Sequence, residues 1–288
     1  MYKIAILGCE NSHATSFLSL IDEGLYPDIS VIGIYSDEAE PMEKLHERFG
    51  VPVMESYDAL VGQVDGIMIT ARHGDNHYKY AKPYIAKGIP MFIDKPITCR
   101  EEDALLFMRD AMERNVRLCG GSTMALRPET LELAQIVADQ SLGDLAGGSI
   151  VCPYYPTSPY GGFYFYAQHL VDIMMAVFGA NIRKVRAQEN SKGMMLSFDY
   201  DTFIVQGAYI ASGTYYNVSI YGKKGFKTQE ITFDAKSFCS EMDEMLRLLN
   251  GGQMAKSYAE FILPVYVMNA IERSVSNAAW EEIPEIRI

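Results

Sequence analysis

The sequence predicts an α/β protein, in which a doubly wound parallel sheet is followed by an α+β domain with a mostly antiparallel sheet. Short apolar runs alternate with amphipathic stretches as far as residue 119, at the spacing of strand–helix–strand units. Beyond Gly120 and Gly121 the pattern changes, because successive strand-like runs are separated only by short turns. We therefore expect two domains, residues 1–120 and residues 121–288.

The first half contains six apolar runs of the kind that form buried parallel strands. They cover residues 3–7, 29–35, 51–53, 66–69, 91–93 and 116–119. Helical stretches lie between them, near residues 12–21, 41–49, 77–87 and 101–115. The first helix has good N-cap residues in Asn11 and Ser12, since their side chains can accept from the backbone of the first turn.

The second half begins with predicted helices at residues 128–140 and 165–178. Residues 184–234 are rich in Val, Ile, Tyr, Phe and Thr and contain short glycine turns, which predicts consecutive antiparallel strands. Two further helices follow, at roughly residues 239–249 and 258–279. This mixture of helices and neighbouring strands predicts the α+β class for the second domain.

The composition is typical of a soluble globular protein, with 49% hydrophobic and 22% charged residues in a chain of 288. No apolar run approaches the roughly 18 residues of a membrane span, and the N-terminus becomes polar too soon for a signal peptide. The five cysteines are scattered and fit a reducing compartment. The net charge of −12 disfavours nucleic acid as a partner. We expect a cytoplasmic protein that binds neither membranes nor nucleic acid.

The turn after the first strand lies where a Rossmann fold has its dinucleotide fingerprint, G-x-G-x-x-G. Gly8 supplies the first glycine, whereas Glu10 and His13 stand at the other two positions. A carboxylate at Glu10 disfavours a pyrophosphate unless the side chain turns away. The alternative is a tight strand-to-helix turn with no ligand. The candidate cofactor contacts of this turn are Gly8, Glu10, Asn11, Ser12 and His13.

Ser36 and Asp37 follow the second strand, where a residue that binds the adenosine ribose is expected. Asp37 can accept hydrogen bonds from the ribose hydroxyls of NAD, whereas Ser36 leaves room for the 2′-phosphate of NADP. The sequence has no obvious arginine beside Ser36 to bind that phosphate, and Asp37 can equally be an ordinary helix-start residue. The choice between NAD and NADP therefore stays open.

The fifth predicted strand runs directly into Asp94, Lys95 and Pro96. Ligands of open α/β sheets bind outside the carboxyl ends of the strands, so we expect Lys95 to face that crevice. A lysine there can position a hydroxyl group, lower its pKa or relay a proton. The alternative is a solvated lysine before a helix, but the position and the following Pro96 are both unusual for one.

A polar loop follows the fourth predicted strand and contains His73, Asp75 and His77. These residue types can bind a metal ion, and a metal-dependent enzyme is one alternative. Loop residues at this spacing converge only in particular turns, however, and no second cluster of ligands completes a site. We therefore expect no metal site.

The chain resembles the Gfo/Idh/MocA family of glucose–fructose oxidoreductase and inositol dehydrogenase over nearly its whole length. Gly8 matches the first turn of that family, and Asp94–Pro96 is a conservative variant of its Glu-Lys-Pro signature. Gly161–Gly162, the helix with His169–Asp172 and the strand-turn Tyr221–Gly225 follow in the family's order. Each motif is short, but their order and spacing together are fairly specific.

The resemblance implies hydride transfer between NAD or NADP and a carbon of a sugar, a cyclitol or a related polyol. Lys95 matches a lysine that contacts the substrate hydroxyl and the nicotinamide ribose, and His169 matches a histidine that exchanges a proton with the reacting hydroxyl. These two residues are therefore the predicted catalytic residues. Further predicted cofactor contacts are Ala71, His73, Asp94, Lys95 and Pro96, and predicted substrate contacts are His77, Lys95, Tyr155, His169 and Asp172.

The helix with His169 departs from the family pattern. An aspartate four positions before the histidine orients it in the family, whereas this chain has Phe165 there, and Ala167 replaces a glycine. An imidazole without a carboxylate partner is less firmly oriented and less basic. A non-catalytic homologue that binds a nucleotide or another ligand, as a sensor or partner subunit, is therefore the alternative to an enzyme.

Tyr155 belongs to an aromatic segment that can stack on a sugar ring, or can be a packed loop or a subunit contact. The resemblance also implies that the sheet of the second domain has an open face through which copies associate. We expect a homodimer or homotetramer, with a small polyol or sugar-like molecule as the substrate.

Overall fold

The computed structural model describes residues 1–288, which form two compact units. Unit 1 comprises Met1–Gly121, Ala235–Tyr258 and the last residue, and unit 2 comprises Ser122–Asp234 and Ala259–Arg287. The sequence predicts that all residues after 120 belong to the second domain. The structure differs for Ala235–Tyr258, which returns to unit 1.

Unit 1 is built on a sheet of five parallel strands in the order β2-β1-β3-β4-β5. The strands are β1 (Tyr2–Leu7), β2 (Ile29–Tyr35), β3 (Gly66–Ile69), β4 (Met91–Asp94) and β5 (Leu118–Gly121). This sheet confirms the predicted parallel topology. The chain extends the sheet from β1 to one side and then to the other, so β1 and β3 flank the switch point where such folds bind their ligands.

Four helices connect the strands of unit 1, and a fifth comes from the later segment. They are α1 (Ser12–Asp22), α2 (Ala39–Phe49), α3 (Asp75–Ile85), α4 (Glu101–Glu113) and α7 (Cys239–Leu249). Asn11 caps α1 as predicted, since its side-chain oxygen accepts from the backbone N–H of His13. None of the helices in the chain is both long and apolar enough to cross a lipid bilayer.

The prediction of a strand at residues 51–53 is wrong. Val53 forms only a single parallel bridge with Ile34. Ile34 donates to the carbonyl of Pro52 and accepts from the N–H of Met54, both at 2.9 Å. Pro52 has no N–H of its own to donate, so the pairing does not extend into a ladder. The sheet therefore has five strands and not the six expected.

Helix α7 joins unit 1 because its apolar face completes the core on one side of the parallel sheet. Met242, Met245 and Leu248 are buried in the same cluster as Phe17 of α1 and Phe92 of β4. Gly66 makes room for this helix, since a Cβ there would lie 2.5 Å from Cε of Met245. The periodicity of the sequence predicts the helix, but it does not tell which core the helix completes.

Unit 2 has a seven-stranded sheet in the order β11-β10-β6-β9-β8-β7-β12. The pair β6–β9 is parallel and all other neighbours are antiparallel, which confirms the mostly antiparallel sheet. The strands are β6 (Leu145–Pro153), β7 (Lys184–Asn190), β8 (Gly193–Asp199), β9 (Ile204–Ile210), β10 (Tyr216–Gly222), β11 (Gly225–Ile231) and β12 (Glu281–Glu282).

One face of the unit 2 sheet is covered by α6 (Tyr164–Phe178), most of whose residues are buried. The hydroxyl of Tyr209 in β9 donates to the carbonyl of Ala167 at 2.7 Å, which fixes the helix on the sheet. A 3₁₀ helix (Thr123–Leu126), α5 (Pro128–Ala138) and α8 (Tyr258–Asn277) are the other helices of this part of the chain. The opposite sheet face exposes large apolar side chains such as Phe226.

Candidate active site

The turn after β1 has the backbone that a dinucleotide site needs. Gly8 has a φ of +81°, and a Cβ there would overlap the backbone of Ala71 in the loop after β3. The N–H groups of Gly8 and Cys9 both donate to the carbonyl of Tyr35, at 2.7 and 3.0 Å. The turn is thus pressed between the ends of β2 and β3, where only glycine fits at position 8.

Glu10, at the position of the second fingerprint glycine, extends its side chain across the ends of the neighbouring strands. One carboxylate oxygen accepts from Oγ of Ser36 at 2.7 Å, and the other accepts from the N–H of Arg72 at 3.0 Å. The sequence left the direction of this side chain open. In the structure the carboxylate links the residues after β2 and β3, and its two hydrogen bonds hold it to those loops.

Asp37 is already engaged by protein donors. Its carboxylate accepts from the hydroxyl of Tyr35 at 2.8 Å and from Nζ of Lys79 at 3.1 Å. Burial opposes its charged form, but hydrogen bonds from Tyr35, Tyr80 and Lys79 outweigh burial and lower the pKa of Asp37. Asp37 is therefore ionised at neutral pH, and its predicted contact with a ribose stays a prediction.

The end of β4 places two opposite charges inside the protein. Asp94 is 0% exposed and Lys95 is 5% exposed. Nζ of Lys95 lies 3.7 Å from Oδ2 of Asp94, and the Lys95 N–H donates to Oδ1 of the same carboxylate at 2.7 Å. Pro96 follows through a cis peptide bond. The carboxylate offsets the charge of Lys95, which a lysine at this depth requires.

His13, at the position of the third fingerprint glycine, joins this buried charge cluster. The amide nitrogen of Asn11 donates to Asp94 at 2.9 Å, so the amide oxygen of Asn11 faces Nδ1 of His13 at 3.2 Å. Nε2 of His13 lies 3.4 Å from Asp94 and 3.7 Å from Glu241 of α7. Both ring nitrogens therefore face oxygen acceptors, and only the protonated imidazole has a hydrogen for each.

The charges explain the titration of His13. Burial alone would lower the pKa of His13, but the carboxylates of Asp94 and Glu241 outweigh burial and raise it. The cluster thus combines two basic side chains, His13 and Lys95, with two carboxylates, Asp94 and Glu241. Glu241 is a residue that sequence reasoning missed, because it comes from a helix that lies 228 positions after His13 in the chain.

The loop after β3 is held from inside by His77, which is completely buried. Nε2 of His77 lies 2.8 Å from the carbonyl oxygen of Ala71, the residue that contacts the Gly8 turn. Burial lowers the pKa of His77, so its ring is neutral. This arrangement gives His77 a role in supporting the loop, and the structure shows no surface of it for a substrate.

A metal site of the kind considered from the sequence would need His73, Asp75 and His77 close together, but the structure does not place His77 with the other two. It brings Cys99, from the loop after β4, so that one ligand atom of each of His73, Asp75 and Cys99 lies within 4.8 Å of the others. Nδ1 of His73 already accepts from the N–H of Asp75 at 3.3 Å. This hydrogen bond occupies one of the two imidazole nitrogens.

His169 has a hydroxyl partner in unit 2. Nδ1 of His169 lies 2.6 Å from Oγ of Ser122, which directly follows β5. The backbone N–H of Ser122 donates to Asp172 at 2.8 Å, and the side-chain amide of Gln168 donates to the same carboxylate oxygen at 3.0 Å. Asp172 therefore anchors Ser122, and Ser122 contacts the imidazole. Sequence reasoning missed Ser122, since nothing in its local pattern marks it.

Aromatic rings surround His169 on the same unit. The ring of Tyr166 lies 4.9 Å from the imidazole and that of Tyr216 lies 5.8 Å from it, both edge-on. Tyr155, a predicted substrate contact, lies 4.5 Å from Tyr166 and is half exposed. Phe165 packs on Tyr166 at 5.4 Å. The position that carries an aspartate in the resembling family thus contributes to an aromatic wall.

Residues 2–121 match the family model described as "Oxidoreductase family, NAD-binding Rossmann fold", named GFO_IDH_MocA. This match covers all five strands of the parallel sheet and the Asp94–Lys95 end of β4. Residues 2–121 are a Gfo/Idh/MocA NAD-binding Rossmann domain. A comparison with curated proteins finds no significant sequence match.

Solved structures resemble the chain over its whole length. A putative myo-inositol dehydrogenase from Sinorhizobium meliloti 1021 has a TM-score of 0.85 at 15% identity, covering 99% of this chain and 100% of that one. GenD2 from gentamicin A biosynthesis, in complex with NAD, has a TM-score of 0.84 at 16% identity, covering 98% of this chain and 96% of that one. The WlbA dehydrogenase from Chromobacterium violaceum, in complex with NADH and UDP-GlcNAcA, has a TM-score of 0.81 at 15% identity, covering 99% of this chain and 97% of that one. The TM-scores establish the shared fold.

The Gfo/Idh/MocA domain of this chain fits a dinucleotide. The Gly8 turn leaves no room for a side chain, and α1 begins directly after it, so the first turn of α1 offers backbone N–H groups and a positive helix end to a phosphate. Glu10, which could oppose a phosphate, is bonded to Ser36 and Arg72. The residues present are therefore compatible with the NAD that the family binds.

Proposed function

We propose that this protein is an NAD(P)-dependent oxidoreductase that transfers a hydride between the nicotinamide and a CH–OH carbon of a sugar-like polyol or its keto form. The observation that carries the proposal is the buried Asp94–Lys95 pair at the carboxyl end of β4, in a domain of a dehydrogenase family. A buried lysine with one nearby carboxylate is costly to maintain, which favours a role in ligand recognition.

The cofactor would be held by the Gly8 turn, the first turn of α1 and the residues after β2. When bound, it supplies or accepts the hydride. The residues of the chain that would touch its adenosine end are Ser36 and Asp37, with Glu10 adjacent to Ser36. His73 and Pro96 remain proposed contacts for the rest of the cofactor, whereas Ala71 and Asp94 are completely buried and would support the site from within.

Lys95 would hold the reacting hydroxyl. Its ammonium group has three donors, and the nearby Asp94 carboxylate keeps it from being an isolated buried charge. An ammonium that donates to the substrate oxygen stabilises negative charge on that oxygen as the hydroxyl loses its proton. His169 would exchange that proton, and Tyr155 would contact the sugar-like ring.

Titration of the purified protein with NADH and with NADPH, followed by nicotinamide fluorescence, tests the cofactor part. We expect saturable binding of at least one of them, with a dissociation constant below 1 mM, which corresponds to about −4.1 kcal/mol. No change in nicotinamide fluorescence at millimolar concentrations of either cofactor would contradict the proposal. Boiled protein is the control for non-specific quenching.

A non-catalytic homologue that binds a nucleotide or another ligand is the second candidate. Two observations favour it: the carboxylate of Glu10 in place of a glycine, and Phe165 in place of the aspartate that precedes the family's histidine. Lys95→Ala discriminates between the candidates. If the protein is an enzyme, this variant should lose turnover by orders of magnitude. If it is a binding protein, the wild type has no turnover to lose, and only ligand affinity can be measured.

We also propose that copies of the chain associate through the open face of the unit 2 sheet. Phe226 is 73% exposed and Met195 is 59% exposed on that face, and Ile204 and Tyr221 are exposed beside them. Apolar side chains of this size gain about 1.5–3 kcal/mol each from full burial. Light scattering should give a dimer or tetramer mass, and Phe226→Asp should lower that mass, whereas Phe233→Asp outside the strands should not.

A further inference from the structure

His169 is oriented by a hydroxyl group and not by a carboxylate. Oγ of Ser122 lies 2.6 Å from Nδ1 of the imidazole, and the two residues are 3% and 7% exposed. We propose that Ser122 is the positioning residue of His169 and replaces the aspartate whose place Phe165 occupies. This inference rests on the acid–base role of His169 proposed above.

The hydrogen bonds of Ser122 show why a hydroxyl can do this. Its Oγ accepts from the backbone N–H of Met124 at 3.2 Å, as the cap of the 3₁₀ helix. The hydroxyl proton can then donate to Nδ1 of a neutral His169. When His169 is protonated, the hydroxyl turns and the second lone pair of Oγ accepts from Nδ1–H. The contact therefore persists in both protonation states.

Asp172 supports this arrangement one helical turn after His169. Its carboxylate accepts from the backbone N–H of Ser122 at 2.8 Å and from the side chain of Gln168 at 3.0 Å. Residues 169 and 172 share one face of α6, so the helix presents the imidazole and the anchor of its partner together. Asp172 therefore acts on His169 through Ser122.

The consequence concerns which ring nitrogen carries the proton. A carboxylate only accepts, so it holds the proton on Nδ1 and stabilises the imidazolium. A donating hydroxyl instead places the proton of neutral His169 on Nε2, where the N–H can donate a hydrogen bond to a carbonyl oxygen. When the O–H of Ser122 turns and Oγ accepts from Nδ1–H, Nε2 is free of its proton and can accept the proton of the reacting hydroxyl, which gives the imidazolium. The further titratable groups that face the imidazole are Tyr166 of α6 and Tyr216 of β10.

The test combines nitrogen-15 NMR of the histidine rings with pH–rate profiles. The chain has five histidines, and His169→Asn assigns the signals of the ring in question. We expect neutral His169 in the wild type to be mainly protonated on Nε2, and Ser122→Ala to shift it towards a tautomer mixture. Ser122→Thr keeps the hydroxyl and should restore the wild-type signals. Ser197→Ala removes an exposed hydroxyl that bonds only Gln206 and is the control.

In the rate profiles, Ser122→Ala should lower kcat about tenfold to a hundredfold, as loss of an orienting partner does elsewhere. Ser122→Asp should raise the pKa of His169 and move its limb of the profile to higher pH, because the carboxylate favours the imidazolium. A structural role alone would not move that limb.

Unchanged ring signals and an unchanged pH profile in Ser122→Ala would overturn the inference. The NMR readout does not depend on turnover. If the wild type shows the Ser122 contact by NMR but oxidises no polyol, the proposed function fails, and with it the catalytic meaning of the contact. If turnover depends on His169 but not on Ser122, only the positioning role fails.

Discussion

The imidazole of His13 lies 3.4 Å from the carboxylate of Asp94, and the family pattern has a different residue type at each of these two positions. His13 occupies the place of the third fingerprint glycine, and Asp94 replaces the glutamate of the Glu-Lys-Pro signature. Asn11 connects them by bonding both. The two departures therefore compensate each other, since the shorter acid is held by side chains from the turn that departs from the glycine pattern.

This pairing predicts a pH dependence of stability. The folded protein holds a proton on His13 more tightly than the unfolded chain, whose histidine has the ordinary pKa of 6.5. The contribution to the free energy of unfolding is therefore complete below pH 6.5 and is lost as the pH rises through the higher pKa of the folded state. Urea unfolding of the wild type and of His13→Gln across this range measures it.

His13→Gln should lack that part of the pH dependence, so the difference in stability between the two proteins should shrink as the pH rises. His46→Gln, on the surface of α2, serves as the matched control and should follow the wild type. A difference that stays constant with pH would show that folding does not shift the pKa of His13, and a difference that grows with pH would show that His13 is neutral in the folded state.

Gly8→Ala should destabilise the protein more than Gly24→Ala. Both glycines have a left-handed φ, +81° and +77°, so both variants lose about 1–2 kcal/mol to backbone strain. At Gly24 an added Cβ meets nothing within 4 Å, whereas at Gly8 it overlaps the backbone of Ala71. The overlap should cost about 1–3 kcal/mol more, measured by urea unfolding. Equal losses at the two sites would contradict the close approach of the Gly8 turn to β3.

Glu10→Gln should change the preference between the two cofactors. The carboxylate lies 2.7 Å from Ser36, next to the position where a 2′-phosphate would come. Removing its charge should tighten NADPH binding by about tenfold relative to NADH, which corresponds to about 1.4 kcal/mol. Fluorescence titrations with both cofactors measure the ratio. Glu47→Gln on α2 removes a charge from an exposed site and should leave the ratio unchanged.

If Glu10→Gln weakens both cofactors equally, the hydrogen bonds to Ser36 and Arg72 matter for the shape of the turn and not for selectivity. A matching loss of stability on unfolding would point the same way. The expected result is a changed ratio with little change in the free energy of unfolding, since the amide oxygen can still accept from the N–H of Arg72 and the amide nitrogen can donate to Oγ of Ser36.

Much of the fold could be predicted because hydrophobic periodicity reports local structure. The alternating strands and helices of residues 1–121 and the antiparallel strands of unit 2 follow directly from it. Pro52 interrupts a run that reads as a strand, and its missing N–H leaves only a bridge. Helix α7 was predicted at its observed position, but a single amphipathic face does not reveal which core it will complete.

The site was predictable only where a strand end fixes the position of a residue. Gly8 and Lys95 follow strands directly, so their location was clear from the sequence. Ser122 and Glu241 were missed, because their partners lie 47 and 228 positions away and no local pattern connects them. The direction of the Glu10 side chain depends on two loops from other parts of the chain, so it could not be predicted from the sequence around Glu10.

The most direct measurement of the central claim is NAD(P)⁺ reduction by a panel of cyclitols and sugars, followed by nicotinamide absorbance, with wild type, Lys95→Ala and His169→Asn. We expect turnover by the wild type with at least one polyol and losses of about a hundredfold or more in each variant, while both variants still bind NADH or NADPH. Cofactor binding without turnover on any polyol, or turnover that survives both substitutions, would contradict the proposed function.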